Sequence, residues 1–431
     1  MNEGAMVNFV KNNFKENKNL IFYLSFFSVA LIIHFLLPLD WADDAVFYNK
    51  TLQFSLAEFL SSSARPIVDT FTYVFVKYPV FWRILNPLML VVSSFLLSEY
   101  LPPVKNEKLK NIIICFLMIY PSMIVVDAGF IATTLNYLWS VTFGLLCFLP
   151  SYKKIQGEKL NYFVMVLLVP CLLYAVNMQQ LAVVLVVLLG AANIYFMMKK
   201  DFAPYVCLQF LITVAYAIYS YIINTVGDNP RMLREINRYF PEFASLSLFE
   251  KVELGFSSTF YCMTMEHHFA WFGFSMFLIF MAFQIYRKSK NLFNRIVVLF
   301  PVLFSIFGII QSFFTEKQST LSKYIPGELH NCGLNKAVYS FELIPDIVFV
   351  LIILCILYSL FVLIENKRIY IVSCFVFSLG LGSRMIMGFS PTVWASGYRT
   401  FYIMFVSLVI VSFLVVSEKQ KTDKNDALYV A

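Results

Sequence analysis

The sequence has too few charged residues for a water-soluble protein. Of its 431 residues, 14% are charged and 60% are hydrophobic, and the mean hydropathy is +0.73. Soluble domains carry roughly 25% charged residues, because their surface must face water. A chain with so little polar surface cannot cover a water-facing exterior. Much of its surface must therefore face lipid.

Several motifs that mark common biochemical functions are absent from the sequence. It contains no glycine-rich motif for binding nucleotide phosphates. It also has no CxxC pair and no Cys/His array with zinc spacing, so no metal is assigned. No basic stripe interleaved with exposed aromatic residues is present, which argues against nucleic acid as a partner. ATP or a nucleotide sugar is therefore not expected as a direct substrate.

Hydrophobic runs of membrane length recur along the whole chain. A helix needs about 20 mostly apolar residues to cross the hydrocarbon layer. The sequence predicts an all-α, polytopic integral membrane protein with about twelve transmembrane helices and short interfacial helices in its outside loops. We treat 1–431 as a single transmembrane domain. The predicted spans are 20–37, 79–98, 111–126, 137–150, 160–176, 181–198, 204–223, 269–286, 296–314, 346–364, 370–388 and 400–416.

Lysine and arginine are distributed unevenly between alternate loops. With the N-terminus inside, the cytoplasmic segments hold 20 of the 33 basic residues, although they are short. This bias predicts a multi-pass protein of the cell (plasma) membrane with both termini in the cytoplasm. The predicted cytoplasmic segments are the tails 1–19 and 417–431 and the loops 99–110, 151–159, 199–201, 287–295 and 365–368.

The predicted outside loops are longer and mix acids, arginines, histidines and aromatic residues. Loops of such length that carry ionisable groups usually hold the function. The main outside loops are 38–78, 224–268, 315–345 and 383–399. In the second of these, Ser247 to Gly255 is predicted to be an interfacial helix that ends at the glycine.

Three aspartates stand close together directly after the first predicted span: Asp40, Asp43 and Asp44. Adjacent carboxylates at a membrane interface repel each other. Crowding and partial loss of water raise the pKa of one of them toward the range of a general base. We therefore predict these three as the catalytic residues, and Asp43 and Asp44 as a place where a divalent cation can bind. The alternative is that they cap the short helix that follows.

Arginines recur in the same outside loops. Arg65 precedes a proline and is presented from a bend. There it pairs with the aspartates, binds an anionic ligand or reaches into the lipid interface. A helix beginning at Pro230 would place three arginines on one face, as a phosphate clamp or as an interfacial helix on anionic headgroups. Two further arginines, Arg384 and Arg399, bracket the Gly-, Ser- and Pro-rich loop 383–399. This loop is predicted to be re-entrant or tightly turned. The predicted phosphate-binding residues are Arg65, Arg231, Arg234, Arg238, Arg384 and Arg399.

Glu266, His267 and His268 form a further candidate group just before the eighth predicted span. A histidine pair can shuttle protons or bind a metal. Adjacent residues on a helix point about 100° apart, however, which makes the pair alone a poor chelate.

Carboxylates after the first span, arginines in later outside loops and the lack of a nucleotide site together resemble the GT-C glycosyltransferases. The pair Asp43-Asp44 stands where that superfamily keeps its acidic motif, and the likeness rests on architecture over most of the chain. The loop 383–399 is also similar to bacterial membrane proteins near the serotype-type glucosyltransferases. The residues that carry this second likeness are Ser383-Arg384, Ser390-Pro391 and Gly397-Tyr398-Arg399.

The resemblance implies an enzyme that takes a sugar from a polyprenyl-phosphate donor on the non-cytoplasmic face of the membrane. The acceptor would be a cell-envelope glycan or a lipid-linked molecule. Asp43 or Asp44 would be the base or the acceptor-binding acid, and arginines would hold the donor's phosphate. Transfer in one step would invert the anomeric configuration, and no cofactor is required.

Two other functions share parts of this pattern. A flippase or transporter of lipid-linked saccharides would need polar residues along its spans, and often an internal repeat. The main ionisable residue within a predicted span is His34, near the end of the first one. A polysaccharide polymerase or ligase would also use arginine-rich outside loops, but it would not need the acidic pair.

Overall fold

The computed structural model describes 3–40, 42–61, 63–104, 106–124, 128–158, 161–225, 230–264, 269–315 and 343–430. The predicted group Glu266, His267 and His268 and most of the loop 315–345 lie outside the described residues. Regular structure in the described part of the chain is helical, with no strand. The predicted all-α polytopic fold is therefore confirmed.

Each of the twelve predicted spans coincides with a helix. Within the described ranges, nine helices are long and apolar enough to cross a membrane. Leu20–Leu36 and Tyr162–Val176 are shorter apolar helices, and the predicted span 111–126 falls on the helix Glu107–Ile124. The nine are Pro79–Tyr100, Phe130–Ile155, Gln179–Met198, Pro204–Ile222, Phe269–Lys288, Leu292–Ile310, Leu343–Leu363, Lys367–Phe389 and Tyr398–Glu418.

The chain divides into two compact units, and the first comprises Met1–Ala175. The prediction of one transmembrane domain over the whole chain stays a prediction. The helices of the first unit are α1 Glu3–Leu36, α2 Ala42–Gln53, α3 Leu56–Leu60, α4 Pro66–Lys77, α5 Pro79–Tyr100, α6 Glu107–Ile124, α7 Phe130–Thr134, α8 Ser140–Ile155 and α9 Tyr162–Val176, which ends at the boundary.

Helices α7 and α8 form the centre of the first unit. They are joined by a π-helical turn, Leu135–Trp139, so that Phe130–Ile155 is continuous. About 78% of the apolar stretch of this helix is buried inside the protein, against 44% of the apolar stretch of α5. A helix that is apolar all round belongs inside a protein or a membrane, and here protein covers most of it. The predicted outside loop 38–78 folds into α2, α3 and α4, and α2 and α4 pack against α7.

The second unit comprises Val176–Ala431. Its central helix begins after a 3-10 turn, and 83% of the apolar window Tyr398–Glu418 is buried. The helices of this unit are α10 Gln179–Met198, α11 Pro204–Thr225, α12 Pro230–Tyr239, α13 Leu248–Thr264, α14 Phe269–Lys288, α15 Leu292–Thr315, α16 Leu343–Leu363, α17 Lys367–Met385 and α18 Tyr402–Val430.

Proline and capping residues explain where many of these helices begin. Proline is tolerated at the first helical position, where its missing N–H has no intrahelical partner in any case. Pro66, Pro79, Pro204 and Pro230 are each the first residue of a helix. At the start of α13, the Ser247 backbone N–H donates to Glu250 Oε2 over 2.6 Å and the Glu250 backbone N–H donates to Ser247 Oγ over 3.3 Å, which together form a capping box.

The predicted end of the α13 helix at Gly255 is wrong, because the helix continues to Thr264. Its second half is buried inside the unit rather than lying at an interface. Gly255 permits this close packing because it has no Cβ atom. A Cβ at that position would lie 1.9 Å from the Met385 carbonyl oxygen. A Cβ on Gly388 would in turn lie 2.1 Å from the Lys251 carbonyl oxygen. Two glycines thus let α13 touch the backbone of the 3-10 turn Ile386–Phe389.

Replacing Gly388 with alanine should destabilise the second unit. The added methyl group has no room against the backbone of α13, and overpacking typically costs about 1–3 kcal/mol. Thermal unfolding of the detergent-purified protein should show a lower Tm for Gly388→Ala. Gly382→Ala is the matched control, because a Cβ at this α17 position meets nothing within 4 Å. The control should match or exceed the wild-type Tm, and equal Tm values for both variants would contradict the close contact.

Candidate functional site

The carboxylate of Asp44 lies beneath the N-terminus of a helix that begins 86 residues later in the chain. Its Oδ2 accepts the backbone N–H of Phe130 over 2.6 Å and that of Ile131 over 2.9 Å, and its Oδ1 accepts that of Ala132 over 2.9 Å. The first N–H groups of a helix have no partner within the helix, and a negative charge is favourable there. Asp44 therefore caps α7.

Gly129 is required directly before this cap. Its φ of +102° is in a region that L side chains rarely adopt. A Cβ atom there would also lie 2.9 Å from Cγ of Asp44. The glycine thus allows both the turn into α7 and the close approach of the carboxylate.

Burial raises the pKa of the Asp44 carboxyl, and the negative charge of Asp43 acts in the same direction. The three backbone N–H donors lower the pKa without offsetting the burial. The direction agrees with the sequence-based expectation that crowding would raise the pKa of one acid in this group. Asp44 is only 1% exposed, and both of its oxygens accept hydrogen bonds. It is therefore badly placed to take a proton from a substrate.

Asp43 and Asp40 are more accessible than Asp44. Asp43 lies in the first turn of α2 and is half-buried, and Asp40 is exposed. Between them, Ala42 has a φ of +52°. A non-glycine residue in this left-handed conformation costs roughly 1–2 kcal/mol. The chain is thus held in a strained turn at the point where it presents Asp43.

Arg65 belongs to the same group of helices as the aspartates. It precedes α4, is half-buried, and its backbone N–H donates to Ser63 Oγ over 2.9 Å. Ser63 Oγ also donates to Asp69 Oδ2 over 2.5 Å, in the first turn of α4. Arg65 directly precedes α4, and α4 packs on α2, which carries Asp43 and Asp44, and on α7, which Asp44 caps.

The sequence analysis missed the buried polar contacts around the π-helical turn. Trp82 donates its indole N–H to Thr134 Oγ1 over 2.8 Å, just before the turn. Trp139, the last residue of the turn, donates to Asn86 Oδ1 over 2.9 Å. Tyr174 donates to the Leu135 carbonyl over 3.0 Å. Such turns contain an extra residue and are frequent at functional sites. Asparagine and tryptophan residues within apolar runs could have indicated these buried polar contacts.

Arg384 serves as an internal cross-link in the second unit. It is 1% exposed, its Nη2 donates to the Val393 carbonyl over 3.1 Å, and its guanidinium carbon lies 4.8 Å from the centre of the Phe401 ring. Gln180 bridges the same region, because its Nε2 donates to the carbonyls of Ser383 over 3.0 Å and Thr400 over 3.3 Å. The segment 383–399, predicted to be a tightly turned loop, thus begins in the last turn of α17, continues through the 3-10 turn Ile386–Phe389 and is mostly half-buried.

The other predicted arginines lie nearer the surface of the second unit. Arg399 is half-buried, and its Nε donates to the Ser396 carbonyl over 2.8 Å. The predicted helix beginning at Pro230 is present as α12, and Arg234 and Arg238 are exposed on it. The side chain of Arg231 lies outside the described residues.

No protein-family model, curated protein or solved structure matches this chain. Within the described ranges, no group of three or more His, Cys, Asp or Glu residues is placed to hold a metal ion. A divalent cation at Asp43 and Asp44 stays a prediction. Such a cation would have to compete with three backbone N–H groups for the oxygens of Asp44.

Asp44→Asn should destabilise the protein, because the neutral side chain loses the charge that three N–H groups bind. Hydrogen bonds to a charged group contribute about 1.5–3 kcal/mol, so a clear drop in Tm is expected. Asp40→Asn is the matched control: this exposed residue should change the free energy of unfolding by about 0.5 kcal/mol or less. If Asp44→Asn were as stable as wild type, Asp44 would not be a structural cap.

Proposed function

We propose that this protein is a membrane glycosyltransferase of the GT-C type. It transfers a sugar from a polyprenyl-phosphate-linked donor to a cell-envelope glycan or lipid-linked acceptor on the non-cytoplasmic face. The observation that carries the proposal is the different environment of the two adjacent aspartates after α1. Asp44 is fixed under the start of α7, and this anchors its neighbour Asp43 on a strained turn where a substrate can reach it.

In the proposed mechanism Asp43 is the general base. Its carboxylate accepts the proton of the acceptor hydroxyl as the oxygen attacks the anomeric carbon of the donor sugar. The bond between that carbon and the phosphate oxygen breaks, and the electron pair leaves with the polyprenyl phosphate. Attack from the opposite side inverts the anomeric configuration. A base fixed by the covalent link to a capped neighbour loses little freedom when substrate binds.

Positive charge is needed where the phosphate leaves. Arg65 is the first candidate, because it directly precedes α4, which packs on the helix that carries Asp43. The other arginines predicted to bind phosphate belong to the second unit, where Arg234 and Arg238 are exposed on α12 and Arg399 is half-buried. Buried Arg384 is better suited to hold the loop that bears Arg399 than to touch the donor.

A lipid-anchored donor explains why the site should stand at a membrane surface. The exposed faces of the apolar helices fit a multi-pass membrane protein. We further propose that it resides in the plasma membrane with both termini in the cytoplasm, as the bias in lysine and arginine predicts. The donor's polyprenyl tail would then remain in the membrane while its phosphate and sugar reach α2 and α4.

The catalytic assignment is tested with Asp43→Asn. Cells that lack the gene and carry this variant should lose sugar transfer by about 100-fold or more, because the general base is gone. The variant's Tm should fall less than that of Asp44→Asn, because Asp43 is half-buried whereas Asp44 is buried. Asp201→Asn, an exposed carboxylate between α10 and α11, is the control and should retain activity.

The envelope glycans of these cells separate the proposal from its alternatives. Loss of one side-chain sugar supports a transferase. Collapse of chain length would indicate a polymerase, and unmodified precursor trapped inside would indicate a flippase. Full transfer by Asp43→Asn would remove Asp43 from the mechanism.

The orientation is tested by cysteine labelling in a cysteine-free background. A membrane-impermeant maleimide should label Lys50→Cys in intact cells, because α2 is expected outside. It should label Gln156→Cys, at the end of α8, only after the membrane is permeabilised. Both positions are exposed in the first unit. The reverse labelling pattern would place the acidic pair in the cytoplasm and remove the basis for a polyprenyl-linked donor.

A further inference from the structure

A chain of three buried side chains connects α1, α5 and the π-helical turn. The imidazole Nδ1 of His34 lies 2.7 Å from the Ala30 carbonyl oxygen, and its Nε2 lies 2.9 Å from Asn86 Nδ2. The other end of the Asn86 amide, Oδ1, accepts the indole N–H of Trp139 over 2.9 Å. His34 is 7% exposed, and the other two side chains are 2% exposed.

The donors and acceptors in this chain admit one arrangement. An indole N–H can only donate, so the oxygen of Asn86 must face Trp139 and its NH₂ group must face His34. Because that NH₂ group donates, Nε2 of His34 must accept. The imidazole proton therefore stands on Nδ1, where it is donated to the Ala30 carbonyl. The chain is complete only with a neutral imidazole.

A second proton on His34 would break this chain. It would place an N–H on Nε2 against the NH₂ group of Asn86, so that two donors face each other. Rotating the amide would repair that contact but would turn the NH₂ group toward the indole N–H of Trp139. One junction is always lost. An unsatisfied buried donor costs more when it is charged, so the Asn86 oxygen turns to the charged His34 and the bond to Trp139 is the one lost.

Two side chains of α5 lie beside His34. Helix α1 packs on α5, which brings Arg83 to the end of α1 and Trp82 to the imidazole. The Arg83 guanidinium donates to the backbone carbonyls of His34 and, over 2.9 Å, of Leu37. The Trp82 ring lies 4.9 Å from the imidazole centre.

Trp139 closes the π-helical turn, and the same continuous helix begins with the N–H groups that Asp44 caps. We propose that His34 is a proton-sensitive switch: when it takes up a proton, the bond between Asn86 and Trp139 breaks and the turn Leu135–Trp139 loosens. This inference does not depend on the proposed sugar transfer. It concerns the conformation of the first unit in any activity that the unit supports.

Hydrogen exchange in the full-length protein, reconstituted in lipid nanodiscs, tests the switch. After correction for intrinsic chemistry, amide exchange across 130–142 should rise roughly three- to tenfold over the pH range in which His34 takes up its proton, the effect of losing one hydrogen bond. In His34→Gln the side-chain oxygen can still accept from Asn86 but cannot take up a proton, so exchange should not change. Equal pH responses in wild type and His34→Gln would overturn the proposal.

Asn86→Asp should reverse the response. A carboxylate accepts both from the indole of Trp139 and from a doubly protonated imidazole, so the chain becomes complete with His34 charged. Exchange across 130–142 should then fall as the pH falls. If exchange in Asn86→Asp rose as the pH fell, as in wild type, the assignment of donors and acceptors in this chain would be contradicted.

A measurement on wild type covers the case in which a variant does not fold. Nitrogen NMR of the histidine-labelled protein reports the tautomer of His34 and its titration. The expected result is a proton on Nδ1 at neutral pH, and a shift of the Trp139 indole signal that follows the titration of His34. A proton on Nε2 at neutral pH, or a titration that leaves Trp139 unchanged, would refute the switch.

Discussion

A helix that begins inside a membrane protein has N–H groups that lipid cannot satisfy. Each such group costs several kcal/mol if it is left without a partner. In the first unit, Asp44 supplies the acceptors for α7, and much of the local structure follows from this contact. Gly129 makes room for the carboxylate, and Ala42 turns the chain toward it. Helices α2 and α4 both pack on α7, the helix whose first N–H groups Asp44 caps.

The same constraint changes the interpretation of the acidic pair. Two adjacent aspartates suggested a repelling pair of which either could be the base. The structure separates them by environment: Asp44 is enclosed by backbone donors, and Asp43 is half-buried at the surface of α2. A similar division occurs among the arginines, since Arg384 is enclosed by its own loop and Arg399 is partly accessible. In each case the enclosed residue is suited to support the accessible one.

The transmembrane helices could be predicted because hydrophobicity is a local property of the sequence. All twelve predicted spans fall on helices, and the helix predicted to begin at Pro230 does begin there. The cap on α7 could not be predicted, because Asp44 meets a segment 86 residues away. The length of α13 was underestimated for a similar reason. A glycine usually ends a helix, but Gly255 instead accommodates the backbone at Gly388, 133 positions along the chain.

The cap also has a consequence for synthesis. A ribosome releases Asp44 well before Phe130, so the acceptor for the α7 amides already exists when that helix enters the membrane. The segment α1–α2 would already be in place when α7 forms. The later helix can then bury its first turn without leaving its N–H groups unpaired. A chain in which these two segments were made in the opposite order would lack that protection.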